Sequence, residues 1–116
     1  MLIVDFRVAT DADWDDSFWV TDTTNKPVSL ADADLELTVK LDDPVPPADG
    51  VILFATTGNG MIVKDEEHDN VFSIAVPYDM VKDFPLGRHF HVLHIIRPGE
   101  RKRFWFGAIE FTEPFK

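Results

Sequence analysis

Strict alternation of apolar and polar residues over positions 35–41 constrains the fold more than any other feature of this sequence. Leu or Val occupies every odd position of this segment, while Glu36, Thr38 and Lys40 occupy the even ones. Successive side chains of a β-strand point to opposite faces, so the pattern predicts a strand with one buried and one solvated face. Turn-forming residues stand on both sides, including a proline-rich loop at residues 44–47.

Similar patterns along the chain predict about eight strands. They lie at residues 2–8, 17–21, 35–41, 51–55, 61–64, 71–76, 88–96 and 103–111. We expect residues 17–21 to form a hairpin with 35–41, and the uninterrupted apolar run 51–55 to be buried on both faces. Pro98 and Gly99 predict the last turn, and one short helix is predicted over residues 78–84 after Pro77.

Short strands, frequent turns and a single short helix predict an all-β fold, an antiparallel β-sandwich or barrel. A length of 116 residues predicts a single domain over residues 1–116, and 45% hydrophobic residues exclude a disordered chain. The sequence has no cysteine for disulfides. No segment has the pattern of a signal peptide or a membrane span, so we expect synthesis and folding in a cytoplasm and no membrane partner.

The charge of the chain is strongly negative and unevenly distributed. The net charge is −10; residues 1–87 hold 5 basic and 18 acidic residues (5 − 18 = −13), and residues 88–116 hold 6 and 3 (6 − 3 = +3). This balance disfavours nucleic acid as a partner. The asymmetry has two interpretations: ordinary solvated turns, or contact between an acidic loop of a neighbouring subunit and a basic turn that contains Arg97, Arg101, Lys102 and Arg103.

The candidates for chemistry are few. His89 and His91 would share one strand face, roughly 6 to 7 Å apart, and could bind a metal, whereas His94 falls on the other face. The alternative is that these rings pack at the edge of the core. Residues 11–16 begin like a calcium loop, but Asp16 stands where the loop needs Gly. Without a nucleophile beside a base, we expect no enzyme, no cofactor and no small-molecule substrate.

The aromatic residues favour a protein interface. On the last strand, Trp105 shares one face with Ile109 and Phe111, and Phe104 and Phe106 lie on the other; only one face can look into a two-layer core. Together with Trp19 they would form an aromatic surface that is covered either by a terminal segment of the chain or by another protein, and we rank the protein interface first. A carbohydrate-binding platform is the alternative, and its tryptophans would be Trp14, Trp19 or Trp105.

The order of motifs between residues 16 and 111 resembles small proteins and domains of bacteriophage and prophage tail and baseplate modules. The motifs that carry the resemblance are Phe-Trp-Val-Thr-Asp (18–22), Pro-Val-Ser-Leu-Ala-Asp-Ala (27–33), the strands at 35–40, 52–57 and 71–76, Asn-Gly (59–60), Pro-Leu-Gly (85–87) and the strand 106–111 with its single Gly.

This resemblance implies an immunoglobulin-like β-sandwich, similar to the N-terminal domain of upper baseplate proteins. It implies a structural role in the virion, with neither catalysis nor a cofactor, and partners that are further copies of the chain or other phage tail proteins. The expected location is the host cytoplasm during assembly and then the virion. The resemblance also places His89 and His91 where the family usually has Tyr or Phe. The strand at 2–8 and the loop at 44–47 are longer than the family pattern.

Overall fold

A computed structural model describes residues 2–42 and 50–113. This part of the chain forms nine strands and one short helix: β1 (Leu2–Ile3), β2 (Phe6–Ala9), β3 (Trp14–Trp19), β4 (Asp34–Lys40), β5 (Val51–Thr56), β6 (Ile62–Lys64), β7 (Val71–Val76), α1 (Tyr78–Val81), β8 (Gly87–Arg97) and β9 (Glu100–Thr112). The strands form two sheets that pack face to face. The prediction of an all-β sandwich with one short helix is confirmed.

The larger sheet has six strands in the order β1-β9-β8-β4-β5, and β2 also pairs with β9. Strands β9, β8, β4 and β5 are antiparallel neighbours. The turn that joins β8 to β9 was predicted, whereas the pairing of β4 with β8 and β5 was not. β1 and β2 run parallel to β9, which the sequence patterns did not predict. Local patterns do not show this pairing, because it joins the first and last strands of the described residues at one edge of the sheet.

The smaller sheet has three strands in the order β3-β7-β6, all antiparallel. β3 pairs with β7 over its full length, from Trp14 opposite Val76 to Trp19 opposite Val71. The predicted hairpin between residues 17–21 and 35–41 is therefore wrong. The chain crosses between the two sheets here, and its loop is anchored by Lys64, whose Nζ donates hydrogen bonds to the carbonyls of Leu30 and Ala33 at 3.1 and 2.8 Å.

Aromatic side chains from both sheets fill the centre of the sandwich. Phe18 and Phe72 of the smaller sheet stack with ring centroids 5.3 Å apart, and Trp105 of the larger sheet lies 5.0 Å from Phe18. Phe6 of β2 adds an edge contact to Trp14 at 5.5 Å. Edge-to-face and offset contacts at these separations are the favourable geometries for aromatic rings. Such ring contacts are the way in which the core phenylalanines join the two sheets.

β5 lies at an edge of the larger sheet, and only one of its faces is buried. Leu53 and Ala55 are in the core, whereas Val51 and Phe54 are exposed to solvent. The prediction that residues 51–55 are buried on both faces is therefore wrong, because nothing within the described ranges covers the outer face of this strand. The predicted proline-rich loop at residues 44–47 lies outside the described residues.

The predicted first strand at residues 2–8 is split at Val4 and Asp5, opposite Gly107 of β9. A Cβ atom at position 107 would overlap the carbonyl oxygen of Val4 and stand 2.9 Å from Oδ1 of Asp5. The Asp5 carboxylate accepts a hydrogen bond from the backbone N–H of Ala108 at 2.9 Å. Glycine at position 107 is thus required by the close approach of two backbones.

Candidate functional site

A β-bulge in β9 separates the residues of the predicted aromatic surface. Leu93 of β8 pairs with Trp105, and the next residue, His94, pairs with Arg103, so Phe104 has no partner opposite it. An extra residue reverses the alternation of side chains along a strand. Phe104 consequently packs against the core, 5.8 Å from the ring of Trp105, and does not share a face with Phe106. The predicted separation of Phe104 from Trp105 onto opposite faces is wrong for this reason.

Trp19 and Phe104 meet at an apolar cleft of about 360 Å³ at the open edge of the sandwich. Leu2 and Phe18 also line this edge cleft, which runs between β1 and β9 of one sheet and β3 of the other. The indole of Trp19 is 72% exposed. The structure therefore brings together two of the three aromatic residues predicted to form the interface, and it places Phe106 elsewhere.

Phe106 belongs to a row of side chains that crosses the outer face of the larger sheet. Strand pairing sets Phe54, Thr38, Val92, Phe106 and Ile3 opposite one another in turn across β5, β4, β8, β9 and β1. Four of these five residues are apolar. With Phe90, which occupies the same outer face of β8, they form a belt that we call the outer apolar belt: Ile3, Phe54, Phe90, Val92 and Phe106.

A shallow groove of about 230 Å³ lies in the centre of the outer apolar belt. Its walls are Phe90, Val92 and Phe106, and the cations Lys40 and Arg103 also line it. The side chains of Phe90 and Phe106 are 49% and 39% exposed. We call this feature the Phe90–Phe106 groove.

Phe90 was missed by the sequence analysis, although a signal was present. Residues 89 and 91 were both considered for the inner face, and strict alternation then places position 90 on the outer face of the same strand. Arg103 could not be assigned to the groove, because its position depends on the bulge at Phe104, and Lys40 could not be assigned because the pairing of β4 with β8 was not predicted.

The basic turn between β8 and β9 is largely paired with its own chain. Arg97 contacts the Asp32 carboxylate at 3.1 Å and donates to a backbone carbonyl, and Arg101 contacts Glu36 at 2.8 Å. Lys102 contacts Glu100 at 3.6 Å. Within the two described segments, Arg103 makes no such ion pair. A role for Arg97, Arg101 and Lys102 in contacts between subunits stays a prediction, and it would compete with these existing pairs.

His89 is held at both ring nitrogens by the backbone. Its Nδ1 accepts a hydrogen bond from the N–H of Asp42 at 3.3 Å, and its Nε2 donates to the carbonyl of Pro85 at 3.0 Å. The ring is buried, with its centroid 5.9 Å from that of Phe111. A metal ion could bind His89 only if one of these hydrogen bonds were broken.

His91 is buried beside Phe6, with ring centroids 4.9 Å apart. Its Nε2 donates to the carbonyl of Val4 at 2.6 Å, and its Nδ1 has no hydrogen-bond partner in the described part of the chain. Burial lowers the pKa of His91, a shift that the Val4 hydrogen bond and the charge of Asp5 partly oppose. The ring is therefore neutral at pH 7. His94 lies on the outer face, and its pKa is also lowered, first by burial and then by Arg101 and Arg103.

The acidic loops show their own hydrogen bonds. The predicted loop at residues 11–16 gives way to strand β3 at Trp14, whose Nε1 donates to Asp16, and Asp13 accepts the N–H of Tyr78. Hydrogen bonds from Thr24 and Lys26 lower the pKa of Asp22. Among residues 2–42 and 50–113, no group of three or more His, Asp or Glu side chains is placed to hold a metal ion.

The chain resembles solved protein structures, and one of them is a phage domain. The chain is similar to the N-terminal domain of phage TP901-1 ORF48, at 9% sequence identity and a TM-score of 0.49, over 97% of this chain and 85% of that chain. A likeness at this level carries no argument about function. No protein-family model and no curated protein matches the sequence. None of the helices in the described residues has the length and apolar character to cross a membrane.

Proposed function

We propose that this protein is a non-enzymatic structural or assembly component of a phage or prophage virion, in its tail or baseplate module, and acts through protein–protein contacts. The order of sequence motifs supports the phage context. The proposed location is the host cytoplasm during assembly and then the particle. The proposed partners are further copies of the chain or other tail proteins.

The outer apolar belt is the observation that carries the proposed role in protein contacts. Phe54, Phe90 and Phe106 are all exposed on one face of the larger sheet, and Val92 joins them across neighbouring strands. Five strands at about 4.8 Å spacing make the row roughly 19 Å wide. Exposed apolar side chains gathered on one sheet face, interrupted here only by Thr38 within the row, are uncommon on monomers and mark sites where proteins meet.

The absence of catalysis is part of the proposal and is supported by the two histidines. Both ring nitrogens of His89 are occupied by backbone groups, and the Nε2 of His91 is bound to Val4. In these positions the imidazoles serve to fix the backbone. The two rings therefore cannot bind one metal ion together, because both ring nitrogens of His89 are already hydrogen-bonded.

Mass spectrometry of purified particles would test the virion role. We expect the chain in particles of the phage or prophage that encodes it. A tagged copy carrying Phe90→Ser and Phe106→Ser should be excluded from those particles, whereas Leu86→Ser, which removes an exposed apolar side chain outside the belt, should be incorporated normally. Absence of the wild-type chain from both particles and tail intermediates would refute the proposal.

Carbohydrate binding is the second candidate, and Trp19 is the residue that favours it. This exposed indole lies at the edge cleft beside Ser17 and Thr21, whose hydroxyls could bind a sugar. Trp14 and Trp105 are 4% and 2% exposed, so the predicted use of either as a binding platform is wrong. A glycan array on which the wild type and Trp19→Ala give the same signal would remove this candidate.

A further inference from the structure

The Phe90–Phe106 groove differs in charge from most of the molecule. The chain has a net charge of −10, yet two cations, Lys40 and Arg103, and no carboxylate line this groove. In the described residues neither cation lies within 4.0 Å of a carboxylate. An apolar groove with cations in its lining is complementary to an aromatic or aliphatic side chain surrounded by carboxylates.

Trp19 is an exposed aromatic residue with acidic residues in the segments next to it. It follows Phe18, which points into the core, so its indole lies on the outer side of the smaller sheet. Its cross-strand neighbour is Val71, and the carbonyl of Val71 accepts a hydrogen bond from the N–H of Asp65 at 2.9 Å. Asp65 begins an acidic turn over residues 65–67, and Asp22 follows Trp19 on the other side.

The carboxylates near Trp19 are charged at neutral pH. Backbone N–H groups of His68 and Glu67 donate hydrogen bonds to Asp65 and lower its pKa. Hydrogen bonds likewise lower the pKa of Asp22, the largest from the side chain of Thr24. Trp19 is thus followed along its own segment by one charged carboxylate, and a second stands across the sheet beyond Val71. An exposed apolar ring in this acidic part of the chain fits the cationic groove better than it fits a copy of itself.

The two surfaces cannot meet within one molecule. Trp19 stands at the end of β3 and lines the edge cleft, whereas the groove lies on the outer face of the larger sheet, and no residue of the described ranges lines both. Each bound copy would keep one surface free. A symmetric contact of groove against groove would instead oppose the Lys40 and Arg103 cations of two copies, which costs electrostatic free energy.

We infer that copies of this chain associate head to tail, with Trp19 of one copy seated in the Phe90–Phe106 groove of the next. Such a contact is heterologous and generates a ring or an open chain of subunits. The inference rests on the proposed role in protein contacts and specifies the partner as a second copy. Trp is enriched among residues that dominate binding energies at interfaces.

Sedimentation velocity over a range of micromolar concentrations would test this arrangement. We expect the wild type to form dimers and larger species, and expect Trp19→Ser and Phe106→Ser to weaken self-association by at least about tenfold each. Tyr78→Ser removes an exposed aromatic ring that belongs to neither surface, so it should leave association unchanged. Circular dichroism and urea unfolding would verify that each variant is folded.

Mixing the two variants gives the decisive result. Trp19→Ser retains an intact groove, and Phe106→Ser retains an intact Trp19, so an equimolar mixture should form a one-to-one dimer that cannot extend further. A symmetric contact would leave the mixture no more associated than the separate variants, and this result would overturn the inference. It is equally overturned by a wild type that stays monomeric throughout, or by variants that associate like the wild type.

A failure of the head-to-tail contact can be distinguished from a failure of the proposed virion role. If the chain is monomeric in solution but present in purified particles, the head-to-tail contact is wrong and the virion role stands. If the chain self-associates through these surfaces but is absent from particles and tail intermediates, the head-to-tail contact stands and the virion role is wrong.

Discussion

His91 donates a hydrogen bond from Nε2 to the backbone carbonyl oxygen of Val4, 87 positions earlier in the chain, at 2.6 Å. The same carbonyl lies where a side chain at position 107 would stand. The break in the first strand at Val4 therefore depends on two neighbours. His91 donates a hydrogen bond to the Val4 carbonyl, and Gly107 has no side chain that would collide with it. Several properties of the protein should follow from this arrangement.

Gly107→Ala should destabilise the fold by about 1 to 3 kcal/mol, the usual cost of inserting an atom into filled space. The added Cβ would collide with backbone, which cannot rotate away as a side chain can. Urea unfolding would measure the change. Gly58→Ala is the matched control, since its Cβ would meet Thr56 at an ordinary 3.6 Å. Equal stability of the two variants would contradict the close approach at Gly107.

The free energy of unfolding should fall as the pH drops below about 6.5. Burial lowers the pKa of His91 in the folded state, whereas the unfolded chain titrates near the ordinary value of about 6.5. Below that pH the unfolded state binds more protons, and the fall due to His91 is at most about 1.4 kcal/mol per pH unit. His94, whose pKa is lowered mainly by burial, adds to the fall in the same direction.

Urea unfolding at about pH 7.5 and pH 5.5 would measure this dependence. His91→Gln keeps an N–H donor for Val4 but does not titrate, so its fall in stability over this range should be smaller than that of the wild type. The double variant with His94→Gln should fall least. Identical pH dependence in all three proteins would show that these histidines are not the source.

Buried and exposed phenylalanines should differ sharply in their effect on stability. Phe72→Ala removes a fully buried ring that stacks on Phe18, and should cost about 3 to 5 kcal/mol. Phe90→Ala removes a half-exposed ring and should change stability by no more than about 0.5 kcal/mol. A large loss for Phe90→Ala, measured by urea unfolding, would mean that this ring serves the fold and not a partner.

Removal of metal ions should leave the protein unchanged. His89 has no free ring nitrogen, and His91 offers only its buried Nδ1. We therefore expect the same melting temperature before and after dialysis against a chelator, and no rise on addition of zinc. Stabilisation by zinc that disappears in His89→Gln would restore the metal hypothesis.

Sequence patterns predicted β4 and β7 from their clear alternation, because period-two burial is a local property of the chain. They could not predict that β3 pairs with β7, since the choice of sheet depends on contacts between residues far apart in sequence. The exposure of Phe54 was missed for a related reason. An apolar run is the same whether its strand lies at the centre or at the edge of a sheet.

The candidate surfaces were predicted only in part, because the extra residue Phe104 in β9 changes which side chains share a face. Up to Arg103 and again from Trp105, the alternation in β9 is regular, and Phe104 shifts the phase between the two parts. Nothing in the residue types marks that position. The exposure of Trp19 agrees with the prediction that it lies outside the core, whereas its separation from Phe106 required the three-dimensional arrangement.

The pairing of the first strand with the last also bears on how the chain folds during synthesis. Thr10 donates its hydroxyl hydrogen to the carbonyl of Thr112, 102 positions away, and β1 and β2 have no sheet partner other than β9 in the described residues. The edge that they close cannot form until β9 has left the ribosome. Such long sequence separations slow folding. A nascent chain would therefore keep this edge open until β9 has been synthesised and released.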